Sequence, residues 1–290
     1  PTRQVSSAAS DVYKRQTQSA DADMIMEAGN IGDLTAGTTI NINDDWENNN
    51  LAADFVFGTS TVNFQGAGSA QVIGGTVATQ SFYHVTLSGA GTNIQMDSHL
   101  DIDGNLTIGD DTDLDAATNT RNITIAGNWD NNENVPSDGF GEGTATVTFN
   151  GTGAQTITHT ANTETFYNLI IDGTGGSVDA TGLTTINNQD FTMQTSNSST
   201  YDGPTTQNIN GDVLIGAGNS ATWTAGAAIT LDGDWTNNGA IGDFDGNGGT
   251  VTLEGSVAAQ NITGTASTTF DGLTFNNSLA AEPRYIIGVN

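Results

Sequence analysis

Asp243-Phe244-Asp245-Gly246-Asn247-Gly248, followed by Glu254, has the spacing of a calcium-binding loop, with oxygen donors at alternate positions, a glycine and a closing glutamate. Oxygens at the first, third and fifth positions converge on a hard cation, and the final carboxylate closes the shell. The pattern therefore nominates Asp243, Asp245, Asn247 and Glu254 as ligands, with calcium as the ion. No helices flank the loop, and Thr250 to Leu253 reads as a strand, so an EF-hand is not expected. A second acidic group, Asp110, Asp111, Asp113 and Asp115, lacks the glycine.

Other chemistries find little to work with. There is no cysteine, which removes disulfides and thiolate metal sites. Five basic residues against 33 acidic ones give a net charge of −28, the wrong sign for nucleic acid or an anionic membrane surface. No window approaches the ~18 apolar residues of a transmembrane helix. A polysaccharide lyase needs a base beside a charge stabiliser. Apart from the first sixteen residues, Arg121 and Arg284 are the only basic side chains, and they lie far apart in the chain. A glycoside hydrolase needs two acids at a set separation, and no acid pair stands apart from the repeat pattern. His84, His99 and His159 have no recurrent serine and acid around them, so a Ser-His-Asp arrangement is not expected. The expectation is a chain without catalytic residues or an organic cofactor.

What positions these residues is a five-residue motif, apolar–any–apolar–polar–Gly, as in Val62-Asn63-Phe64-Gln65-Gly66. Its third position recurs at Ile42, Phe64, Leu87, Ile102, Ile125, Phe149, Ile171, Ile186, Ile209, Leu231, Leu253 and Phe275. Steps of 22 to 24 residues separate them, except for two of 15. A fixed period of this size marks a repeat architecture. Alternation turns the apolar pair inward and the residue between them outward. One turn contributes only a few buried side chains at ~1.5–3 kcal/mol each, against ~1–2 kcal/mol per residue of backbone ordering. Only a stack of turns is stable. The chain is thus expected to be all-β, a right-handed parallel β-solenoid of about twelve coils spanning roughly 60 Å. Tandem antiparallel sandwiches are the competing fold. The two short steps leave the register open, because Leu106-Thr107-Ile108 and Phe191-Thr192-Met193 also lie about one period after Leu87 and Ile171.

A longer repeat is laid over the short one. Asp45-Trp46-Glu47-Asn48-Asn49, Asn128-Trp129-Asp130-Asn131-Asn132 and Asp234-Trp235-Thr236-Asn237-Asn238 each lead to a Gln-x-Ile signature ending at Ile73, Ile157 or Ile262. Phe82, Phe166 and Phe270 follow in turn. Aromatic residues recurring in this way are expected in the core, with sugar stacking as the alternative. The outward Thr and Asn residues between inward pairs form a ladder that raises ice binding as a further class, although Asp101, Ile170 and the asparagines interrupt it.

Ser6 to Gln16 resembles a translated sequencing-library adapter, so residues 1–16 are expected to be non-native and 17–290 to form the solenoid. Residues 17–290 hold two arginines, no lysine and 32 acidic residues, a net of −30. That self-repulsion points to a saline or calcium-containing exterior. The succession Gly127 to Asn132, Thr146 to Ile157 and Thr165 to Leu169 resembles repetitive β-strand surface proteins of bacteria, which are large, secreted and adhesin-like. The resemblance implies an extracellular structural or adhesive role, with surface glycans or neighbouring repeat segments as partners. A non-catalytic stalk or spacer on a bacterial cell surface is the resulting expectation. A carbohydrate-binding or polysaccharide-degrading β-helix is its alternative, and an ice-binding solenoid comes after that.

Overall fold

The computed structural model describes residues 3–4, 17–20, 23–28, 34–35, 38–50, 55–68, 70–135, 139–240, 242–278 and 285–287. The adapter-like stretch 6–16 and Arg284 lie outside them. The chain divides into two compact units, 1–145 and 146–290. Among the described residues the only regular elements are strands, paired in parallel, and the two units together make about eleven turns of β-solenoid. Tandem antiparallel sandwiches are thereby excluded as the fold.

In the first unit each turn crosses three faces. The first face stacks Thr39–Ile42, Thr61–Phe64, His84–Leu87, Leu106–Ile108 and Trp129–Asn131. The second stacks Met24–Met26, Trp46–Asn48, Gln71–Gly74, Thr92–Met96, Thr112–Asp115 and Phe140–Gly141. The third stacks Thr79–Phe82, His99–Ile102 and Ile123–Ile125, with Leu34–Thr35 paired to Phe55–Val56 at an earlier level. The pairing is in register, so inward side chains lie over inward side chains. Ile42, Phe64, Leu87 and Ile108 form one column, and each is 0% exposed.

The second unit repeats the plan. Its first face stacks the leading halves of Thr163–Ile171 and Thr185–Met193, then Thr206–Ile209, Ala228–Leu231, Thr250–Leu253 and Gly272–Phe275. Its second face begins at Thr146–Phe149 and continues through the trailing halves of the same two long strands. It then takes in Val213–Ile215, Trp235–Asn237 and Gln260–Gly264. The third face stacks Ala154–His159, Ser177–Asp179, Thr200–Asp202, Trp223–Thr224 and Phe244–Asp245.

This register resolves what the two 15-residue steps left open in the sequence. Leu87 continues to Ile108, and Ile171 continues to Met193. Ile102 instead lies over Phe82 on another face, and Ile209 lies over Asn188 rather than Ile186. The 15-residue steps are passages between faces within the winding, so the motif recurs more often than the turns do. The pentapeptide marks any strand that ends in a bend, whichever face that strand occupies.

The long repeat has a packing basis. Trp46 lies one turn from Ile73, and Trp235 one turn from Ile262, so the turn that follows each of these two is 27 residues long. Each tryptophan is buried and meets phenylalanines edge-on. Trp46 reaches Phe55 at 4.8 Å and Phe82 at 5.2 Å, and Trp235 reaches Phe244 at 4.8 Å and Phe270 at 5.0 Å. Trp129 meets Phe140 at 4.9 Å in the same manner. Edge-to-face pairs add ~0.5–1.5 kcal/mol beyond area burial. The asparagine two residues after each tryptophan closes a turn. Oδ1 of Asn48, Asn131 and Asn237 accepts the backbone N–H of Asn50, Glu133 and Gly239. Side-chain to backbone bonds of this kind are why asparagine suits such bends.

Candidate functional site

The proposed calcium ligands are held by different elements. Asp243 precedes the short strand Phe244–Asp245 and turns inward, 6% exposed. Its Oδ2 accepts from Nδ2 of Asn219 at 3.2 Å and from the backbone N–H of Ala240 at 2.6 Å. It thereby ends a buried polar column, since Asn197 Nδ2 donates to Asn219 Oδ1 at 3.0 Å one turn below. Asp245 points outward, and its Oδ1 accepts the N–H of Asn247, which sits at φ 49°. Glu254 follows Thr250–Leu253 on another face of the unit.

Among the described residues, the acids whose oxygens converge within 4.8 Å as a group of three are Asp23, Asp44 and Asp45, which the loop spacing did not reveal. The available signal was the 22-residue period separating Asp23 from Asp45. Burial pushes the Asp45 carboxyl above its ordinary range. The Val72 N–H donated to its Oδ1 at 2.8 Å opposes this, and Asp44, Asp23 and Glu47 add to it. Three oxygens here match the chemistry of a hard cation, but they match that of a solvated acidic bend equally well.

The second acidic group is spread along its turn. Asp110 accepts from Asn134, the Asp111 N–H donates to Glu133, and Asp115 accepts from the N–H groups of Ala117 and Thr118. Histidines serve the stack in the same way. His84 Nδ1 accepts the N–H of Asn105 at 2.8 Å, and His99 Nδ1 accepts that of Asn122 at 2.9 Å. The accepting Nδ1 of His84 is in keeping with the downward push that burial exerts on that ring. In the second unit His159 Nδ1 lies 3.7 Å from Glu164 Oε2, with both side chains buried. Arg121 stands half-buried in the turn after Thr112–Asp115.

A recurring device emerges at the corners. The side-chain acceptor of one turn takes the backbone N–H at the equivalent place in the next. Asp190 Oδ1 accepts from Asp212, Asp212 from Asp234, and Asp234 from Asn261, at 2.7–2.8 Å. Charge-assisted bonds to N–H groups are the stronger kind, and they offset the repulsion of stacked carboxylates.

The outward surface of the second unit's first face presents two adjoining rows. Its two rows are Thr163, Thr185, Thr206, Ala228, Thr250, Gly272 and Thr165, Asn187, Asn208, Thr230, Thr252, Thr274. Neither row carries a charge. Asn208 Nδ2 donates to Asn187 Oδ1 at 2.9 Å, and Thr230 Oγ1 donates to Asn208 Oδ1 at 2.9 Å. Asp101 and Ile170, which interrupt the ladder in sequence, lie elsewhere. Asp101 pairs with Ser81 and Thr124 in the first unit, and Ile170 with Thr148 and Thr192 on the neighbouring face.

The tryptophans offered as sugar platforms are 0–1% exposed, and the recess bounded by Ile229, Phe244, Val251 and Asp271 has no volume a water molecule could occupy. Compared with protein-family models, with curated proteins and with solved structures, the chain has no match.

Proposed function

We propose that this chain is a non-catalytic structural segment, a stalk or spacer of a bacterial cell-surface or secreted protein. The observation that carries the reading is the closure of each inward column by its counterpart one turn away, as in Ile42, Phe64, Leu87 and Ile108. Among the described residues, apolar side chains are spent on closing the stack, and polar groups at the corners accept the next turn's backbone, as Asp190, Asp212 and Asp234 do. Such a molecule supplies length and stiffness in proportion to its turns. The strongly acidic surface suits a screened, saline exterior. Surface glycans or adjoining repeat segments are the partners such a spacer would meet.

The test is length. Spin labels at Thr163 and Thr250, four turns apart in one outward row, are expected ~19 Å apart at ~4.8 Å per turn. Inserting a second copy of residues 206–227 should lengthen that distance by ~4.8 Å with the fold retained. Unchanged distance, or turnover of a polysaccharide by the purified chain, would replace the spacer with the carbohydrate-active alternative.

A further inference from the structure

We propose that the charge-free Thr/Asn face of the second unit binds the ordered water lattice of an ice surface. The inference does not rest on the spacer reading. Its first support is charge. In a chain with 33 acidic residues, two adjoining rows running through six turns carry none; acids flank them, at Asp232 and Glu254 in the next row and at Asp271 on the opposite side, where its carboxylate accepts the Gly248 N–H. A carboxylate orders water around itself and would break a neutral lattice, so a neutral face complements it.

The second support is regularity. In-register parallel pairing without a bulge spaces the side chains at ~4.8 Å between turns and ~6.6 Å along each strand. Threonine fills eight of the twelve places, so the result is a two-dimensional array rich in hydroxyls and methyls, with the Thr165 hydroxyl buried beneath it, on a scale comparable to the oxygen repeats of ice planes. Threonine is stiff at χ1. The Asn187–Asn208–Thr230 chain of hydrogen bonds holds the middle of the array in one arrangement. Little freedom is therefore lost on adsorption. Each contact is weak, but contacts on a rigid array form together, and the effect multiplies.

The experiment is partition of the full chain into slowly grown ice, beside a folded, similarly acidic control protein. The native chain should enter the ice while the control is excluded. Thr206→Tyr and Thr230→Tyr should lower partition about tenfold, a loss of ~1.4 kcal/mol of adsorption. Thr236→Tyr, on the neighbouring face, should leave it unchanged, with circular dichroism melts verifying each fold. Should the tyrosine variants unfold, Thr230→Val keeps the shape, removes the hydroxyl and should still lower partition. Exclusion of the native chain from ice overturns the proposal, as does an equal loss in Thr236→Tyr. It is also overturned if the Thr206 and Thr230 variants abolish only self-association in sedimentation, or only binding to an insoluble polysaccharide, while ice partition is unaffected.

Discussion

Asn208 donates from Nδ2 to Oδ1 of Asn187, one turn below it, and accepts from Thr230, one turn above. An amide is suited to this place because it offers a donor and an acceptor in opposite directions. Asn208→Asp removes the donor and sets a carboxylate oxygen against the Asn187 oxygen. A loss of about 1–2 kcal/mol at pH 7 is expected in urea denaturation, largely recovered once the new acid is protonated. A loss that persists at low pH would mean the hydrogen bond is not what matters.

Gly75 lies over Asn48 at φ 118°, and Gly264 over Asn237 at φ 134°. A Cβ at Gly75 would sit 2.2 Å from the Asn48 carbonyl oxygen. Gly75→Ala combines backbone strain with that overlap and should cost about 2–4 kcal/mol. Gly68 also has positive φ, at +71°, but has open space around it, so Gly68→Ala should cost only about 1–2 kcal/mol. Equal losses in denaturant titrations would remove the close approach as the cause.

Asp243 has structural partners, Asn219 and the Ala240 N–H. Asp243→Ala leaves the Ala240 N–H without its acceptor and removes one of the two bonds that Asn219 Nδ2 donates, the one to Ala221 remaining, and should lose about 1–3 kcal/mol in calcium-free buffer. A loss that appears only when calcium is present would assign the carboxylate to a metal instead.

Acid conditions should relieve this protein before they harm it. Burial raises the carboxyls of Asp45, Asp101 and Asp172 above their ordinary 3.8. A raised folded value means that the native state holds the proton more tightly than the unfolded chain. These groups therefore disfavour the fold when ionised, and stability rises as pH falls through their folded values, until about 3.8. Asp45→Asn keeps an acceptor for the Val72 N–H and should melt higher than the native chain at pH 7. The gap should close as pH approaches 3.8; a gap that widens in acid would reverse the argument.

Much of this architecture was legible in the sequence. Alternation placed Phe64 and Leu87 inward, and the period placed them in adjacent layers. What was hidden was the face. The pentapeptide ending at Ile102 looks like the one ending at Leu87 because both must bury two side chains and then bend, and nothing local distinguishes one side of the stack from another. The three tryptophans align in sequence for the same reason, yet Trp46 and Trp129 occupy different faces of the first unit. Asp243 was misleading in another way. Alternation with Phe244 turns it outward, but the bend before it carries the carboxylate inside to meet Asn219. Sorting by face also cleared Asp101 and Ile170 from the threonine rows, which no reading of spacing could do.

Removing one whole turn is the most direct measurement of the central claim. Deleting residues 206–227 brings Phe191 to Trp235, Tyr201 to Phe244, and Asn197 to Asp243, so these columns of the second unit close again on compatible partners, while Asn188 and Tyr201 give up their bonds to Gln207. The account predicts a folded chain that melts cooperatively, with a midpoint within a few degrees of the parent. Deleting only 206–216, half a turn, should abolish the transition in the second unit. Loss of the fold on removing the whole turn, or its survival on removing half, would contradict a stack built of interchangeable turns.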